Sequence, residues 1–254
     1  MADNSASTGL LKNPPLKEVI FELHWELEYI PGQNFQVDNG FEEAVINFTN
    51  ACQQGFKVLE ILKSASIPYT AVAHKITHRF FKEKGKYPLY QLGPGVFTVN
   101  DNDKNYKWED FEKLIVDGVS CLRKSYIKPL VLGKIELRYV DAVSVFALGK
   151  TDKFSFLKNH LNINVEGYKF VDGSLEDINF KKRFSVNGDS YLNMMVATGI
   201  DLRTKEESII WHTFINNKQR ISWDDLPTWI GKAHKTTSLT FKKMLSDELF
   251  KYFN

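Results

Sequence analysis

From Glu18 to Glu28 every second residue is apolar: Val19, Phe21, Leu23, Trp25 and Leu27. Side chains of a strand point alternately to its two faces, so a period of two marks a strand with one buried face and one wetter face. Pro31-Gly32 ends that run. The period then changes, and Phe41, Val45, Phe48, Cys52, Phe56, Leu59 and Leu62 recur at steps of three and four up to Ile67-Pro68. Such a stripe is one face of a helix, and the only apolar surface yet on offer to it is that of the strand. A chain that opens this way is committed to helices layered on a sheet.

Two strand-like runs follow, 73–82 and 88–100, on either side of the turn-forming Glu83-Lys84-Gly85-Lys86, which predicts a hairpin. A second helical stripe comprises Trp108, Phe111, Ile115, Val119, Leu122 and Tyr126, with Pro129 limiting its extension before a strand over 131–146. The order β-α-β-β-α-β is the connectivity of a ferredoxin-like unit, with both helices on one face of an antiparallel sheet. Beyond Gly149 the pattern predicts a short helix over 154–161, then antiparallel strands over 177–186, 190–201 and 207–216, with Asn187-Gly188 the strongest turn signal in the chain. An amphipathic helix over 226–250 closes the sequence, its lysines mostly opposite Leu226, Ile230, Ala233, Phe241 and Met244. The fold expected is α+β.

At 254 residues the chain could form one large domain or two small ones. No linker-like segment divides it, so the reading is a flexible leader over 1–15, rich in small polar residues and ending in Asn13-Pro14-Pro15, and a single α+β domain over 16–254 with candidate sub-units 16–148 and 149–254. A net charge of +2, from 33 basic against 31 acidic residues, means that any surface for nucleic acid must be a local patch. The two cysteines, Cys52 and Cys121, are too few for a disulfide framework, and no signal-peptide pattern or membrane-length apolar run is present. A cytoplasmic protein with no membrane partner is expected.

Pro15-Leu16-Lys17-Glu18-Val19-Ile20-Phe21-Glu22-Leu23, Tyr106-Lys107-Trp108-Glu109-Asp110-Phe111 and Leu137-Arg138-Tyr139-Val140-Asp141 together resemble a sporadically distributed family of uncharacterised bacterial proteins of about this length, over a match running from Pro14 through the closing helix. The resemblance implies no established activity and no catalytic residue. Its patchy distribution implies phage-defence or toxin–antitoxin genes and a protein partner encoded nearby.

The residues themselves offer few chemical constellations. Asp101, Asp103 and Glu112 fall at oxygen-ligand positions of a calcium-loop pattern, but Tyr106 stands where the loop needs glycine, and the element before it reads as a strand. They are weak metal candidates, and no metal or cofactor is expected. His74 and His78 are too far apart on a strand to share a metal, whereas His24 lies on the polar phase of the first strand with Glu22 and Glu26. Asp141 falls in phase with Leu137, Tyr139 and Val143, which would bury a carboxylate and make it a candidate polar site; a bulge would return it to solvent. Lys181, Lys182 and Arg183 interleave with Phe180 and Phe184, and Arg79, Lys82 and Lys84 form a second basic run; such mixtures of cations and aromatics suit nucleic acid, although solvated lysines account for them as well. Leu92-Gly93-Pro94-Gly95 lacks the context of a nucleotide-binding loop and reads as a bend. The expected function is therefore non-enzymatic macromolecular interaction in the cytoplasm. The alternative is nucleic-acid binding or processing through the basic runs, with Asp141, Asp101 and Asp103 as metal ligands.

Overall fold

The computed structural model describes residues 11–32, 35–68, 71–102, 104–149, 152–165, 176–201 and 204–254. Its centre is β1 (Leu16–Trp25), paired antiparallel on one side with β7 (Val96–Asp101) and on the other with β8 (Leu132–Ser144). A two-residue ribbon, β2 (Glu28–Tyr29) with β3 (Gln36–Val37), leads from β1 into α1 (Phe41–Cys52). An antiparallel meander of β4 (Val58–Ile61), β5 (His78–Phe81) and β6 (Leu89–Gly93) then returns the chain to β7 at the flank of β1, and α2 (Trp108–Ser125) follows.

The second half repeats this plan. After β8 and α3 (Lys153–His160), a meander of β9 (Asn179–Val186), β10 (Ser190–Ile200) and β11 (Glu207–Asn217) returns to the flank of β8, and α4 (Leu226–Met244) and α5 (Asp247–Phe253) follow. Because β1 and β8 are antiparallel neighbours, the two meanders grow outward in opposite directions. The result is one nine-stranded sheet, β4-β5-β6-β7-β1-β8-β11-β10-β9.

The pairing registers assign each side chain to a face. Val19, Phe21 and Leu23 align with Tyr139, Leu137 and Ile135 across β8 and with Asp101, Val99 and Phe97 across β7. Most of this row packs with Phe41 and Phe48 of α1, Phe111 and Ile115 of α2, and Trp229 and Ile230 of α4 in one apolar cluster. On the same face, Val143, Val196, Ile209 and Trp211 form a second cluster with Phe156 and Leu157 of α3 and Leu249 and Phe253 of α5. All five described helices therefore cover one face. The other carries Ile20, Glu22, Thr98, Asn100, Glu136, Arg138, Asn193 and Phe214. No described helix lies over it, yet Thr98, Asn100, Glu136 and Phe214 are buried and Asn193 is fully so.

Several boundaries differ from the sequence reading. The first helical stripe is cut at Cys52, and Leu59 lies instead on β4, because Gln53-Gln54-Gly55 breaks the helix and Val58–Ile61 finds a partner in β5. The strand expected over 88–100 is a hairpin folded at Pro94-Gly95. A Cβ on Gly93 would lie 1.9 Å from the Lys75 carbonyl oxygen, and Gly95 has φ +77, so both glycines are required at this crossing. The sheet thus has two strands more than the β-α-β-β-α-β order supplies before β8. The closing helix is interrupted at Leu245, and Ser246 caps the separate α5 by accepting from Leu249 N–H. Of the expected leader, residues 1–10 lie outside the described residues. Asn13 N–H donates to the Phe253 carbonyl at 3.0 Å, and Pro15 is buried. No described helix is long and apolar enough to cross a membrane.

Gly118 of α2 faces the aromatic centre of the first cluster, where an added Cβ would come within 2.7 Å of Phe97 and 2.9 Å of Tyr90. Gly118→Ala is expected to lower the unfolding free energy by about 1–3 kcal/mol through overpacking, despite alanine's better helix propensity. Urea denaturation measures this, and a stabilised variant would show that the two rings yield freely.

Candidate functional site

The helix-free face is built from strands whose second phase is polar, and its side chains bond to one another from strand to strand. At its middle, Glu22 accepts from His24 Nε2 at 2.7 Å and from Lys134 Nζ at 3.0 Å, and Lys134 also pairs with Glu136 at 3.0 Å. Glu136 in turn holds Arg138. The hydrogen bond from His24, then Lys134, draws the Glu22 carboxyl down to about 2 against the opposing effect of burial. His24 Nδ1 lies 3.1 Å from His74 Nδ1, which is also 3.0 Å from the Gly95 carbonyl oxygen. A bond between two ring nitrogens requires one to donate and the other to accept.

Toward β4 the network continues mainly through amide and hydroxyl groups. Gln91 Nε2 donates to Thr98 Oγ1 at 3.1 Å and to Asn100 Oδ1 at 2.9 Å, and Asn100 donates to Glu18 at 2.8 Å. Arg79 donates to Gln91 at 2.9 Å and pairs with Glu60 at 3.5 Å.

Toward β9 the character changes to cations laid over rings. Arg138 and Lys181 lie 4.5 and 5.2 Å from the centroid of Phe214, and Arg183 and Lys218 lie 5.1 and 4.9 Å from that of Tyr191. The register brings them together: Arg183 is opposite Asn193, which is opposite Phe214, which is opposite Arg138. Arg183 Nε donates to Asn193 Oδ1 at 3.1 Å, and Asn193 donates to Asn216 at 2.8 Å. Among the described residues neither Lys181 nor Arg183 is ion-paired. Asn187 and Gly188, both at positive φ, make the tight turn that fixes this register.

The residues singled out from the sequence are thus sorted by face and edge. Lys181 and Arg183 share the helix-free face, whereas Lys182 points to the helix-bearing face and lies 5.5 Å from the Phe180 centroid. Arg79 is neutralised by Glu60, Lys82 leans over Phe56, and Lys84 stands in the turn after β5. The two basic runs lie seven inter-strand steps apart, roughly 33 Å along the sheet, so they do not make one continuous patch. Asp101 and Glu112 do not join a metal-holding group among the described residues, and Asp103 lies outside them. Cys52 is buried, and burial pushes its thiol up to about 12, which suits a core side chain. The link from His24 to His74 could not be read from the sequence, because the two lie fifty residues apart and meet only through the hairpin at Gly95.

Asp141 stays on the helix-bearing face, directly opposite Trp211 and only 4% exposed. Burial pushes its carboxyl up to about 7, against a smaller opposing pull from Lys17. Nearby, Tyr139 OH and His234 Nδ1 are 2.9 Å apart, and the His234 ring stacks on Trp108 at 3.8 Å. Burial holds that imidazole down to about 4, so it is neutral at physiological pH. Among the described residues, Trp211 Nε1 and Thr213 Oγ1 are buried without a hydrogen-bond partner.

Comparison of the chain with family models, with curated proteins and with solved structures finds no significant match.

A folded-state pKa above the ordinary aspartate value means that the folded chain holds this proton more tightly than the unfolded chain does. That contribution is whole below about pH 4 and lost as pH rises toward 7. Asp141→Asn is therefore expected to match the natural chain near pH 4 and to exceed its stability at pH 8 by on the order of 4 kcal/mol. Urea titrations at the two pH values measure the divergence; parallel curves would mean that Asp141 is ionised in the fold.

Proposed function

We propose that the protein is a non-enzymatic binding protein and that the helix-free face of its sheet is the contact surface for a macromolecular partner. One observation carries this reading: nine strands have all their described helices on one side, while the other side keeps an ordered array of polar, charged and aromatic groups. Antiparallel sheets commonly leave one face polar, and what sets this face apart is that its side chains are tied to one another from strand to strand. The hydrogen-bonded array from Glu18 to Asn216 fixes side chains in position before a partner arrives, which lowers the entropy cost of association. The bacterial defence or toxin–antitoxin setting is part of this proposal and rests on the family resemblance alone. The crossover from β7 through α2 to β8, which straddles β1, also supports reading the first half as a ferredoxin-like unit with an inserted hairpin.

Nucleic-acid binding is the second reading, favoured by the cations over Phe214 and Tyr191. Its processing variant loses support, because Asp141 is buried on the opposite face.

The test is a pull-down of the native chain from its own cells, with and without nuclease. Ile210→Lys, at a half-buried position on the helix-free face, is expected to abolish recovery of the partner, whereas Val116→Lys, exposed on α2, leaves it intact. Equal recovery by both variants, each folded by circular dichroism, would overturn the assignment of the surface.

A further inference from the structure

We infer that the β9–β11 end of the helix-free face binds single-stranded nucleic acid, with Lys181 and Arg183 on the phosphate backbone and the Arg183 guanidinium plane available to a base. The inference rests on the reading of this face as the contact surface and specifies what occupies one end of it.

Three observations carry it. Lys181 and Arg183 are two apart on one strand and so stand about 6.7 Å apart in a line along β9, the arrangement that follows one backbone. Both are exposed and lack an ion pair among the described residues, and Lys218 joins them with bonds only to the Ser185 hydroxyl and the Gly188 carbonyl. Among the described residues, this end of the face therefore carries positive charge with no carboxylate paired to it at Lys181 or Arg183. At the other end, by contrast, Arg79 is matched by Glu60, and in the middle Lys134 is matched by Glu22 and Glu136. The distribution is local, as the near-zero net charge of the whole chain requires.

The second observation is how the cations are held. Arg183 lies over Tyr191 and is tied edge-on by Asn193, which accepts from its Nε; Asn193 is itself fixed by Asn216. The Arg183 Cζ lies 5.1 Å from the ring centroid, and the residue is exposed. An exposed guanidinium held by its Nε keeps its terminal N–H groups for a phosphate oxygen and its plane for an unpaired base. The third observation is that the rings of Phe214 and Tyr191, on neighbouring strands, hold these cations in a row on one sheet surface, so that the positive positions are set before a strand arrives. Lys182, though central in the basic run, faces the other way and takes no part.

Fluorescence anisotropy of the full chain with a labelled mixed-sequence oligonucleotide, as single-stranded RNA, single-stranded DNA and duplex, tests this. Single strands are expected to bind more tightly than the duplex, with an affinity that falls steeply with salt. Lys181→Glu/Arg183→Glu is expected to lose at least tenfold in affinity, and the neutral pair Lys181→Gln/Arg183→Gln to flatten the slope of log K against log salt by about 1.4, the release expected for two phosphate contacts to a single strand. Lys182→Gln, on the same strand but the other face, is expected to keep the slope of the natural chain. Absence of binding at low salt, a preference for duplex, or equal effects of Lys182→Gln and the neutral pair would overturn the inference. If no oligonucleotide binds while a nuclease-resistant protein partner is still lost with Ile210→Lys, this inference falls and the broader reading of the face stands; if that partner is untouched as well, both fall.

Discussion

The antiparallel pairing of β1 with β8 is the contact on which everything else depends. It joins the first strand of one half to the first strand of the other, so every further strand is added outward from it. The same registers place Val19, Phe21 and Leu23 beside Tyr139, Leu137 and Ile135, and a slip by one residue would exchange the buried and polar faces of both strands. The apolar faces specify this register strongly. The two register shifts, between Leu16 and Glu18 and between Leu23 and Trp25, come at the ends of the ladder, the first where Asp141 faces Leu16.

Given that seam, the division of labour between the faces follows. Each half contributes helices after its central strand and after its meander, and all of them serve the face that carries the aromatic and aliphatic rows. The other face is left to make its own order through side-chain hydrogen bonds and ion pairs. In partly shielded surroundings such networks are stronger than on an open surface, and Glu22, Lys134, Glu136, Gln91 and Asn100 are each held by two or more others. Glu22, between His24 and Lys134, is the node with the most strongly shifted carboxyl.

How much of this was legible depends on the range of the interactions involved. The period-two run at 18–28 and the stripe from Trp108 to Tyr126 identify β1 and α2 because each reflects one face packed on a continuous core. Leu59 and Leu62 continued the spacing of the first helix by coincidence, and a local pattern cannot weigh Gln53-Gln54-Gly55 against the pairing that Val58–Ile61 finds with β5. Pro94-Gly95 reads as a bend until the close approach of Lys75 to Gly93 shows why the chain folds back there. At the candidate site, alternation alone separates Lys182 from Lys181 and Arg183. It cannot tell which phase faces the helices, since Phe180 and Phe184 flank the basic run in the phase of Lys182. The pairing of His24 with His74 needs the hairpin in place and has no local signal at all.

An open sheet has two edges, and each invites another strand. Here β4 is only four residues long, and β9 presents its backbone between three consecutive cations, Lys181, Lys182 and Arg183, directed to both faces. Two copies brought together at β9 would set like charges against each other on either side of the joint. The basic run thereby protects the protein against growing into a fibre, whatever else it holds.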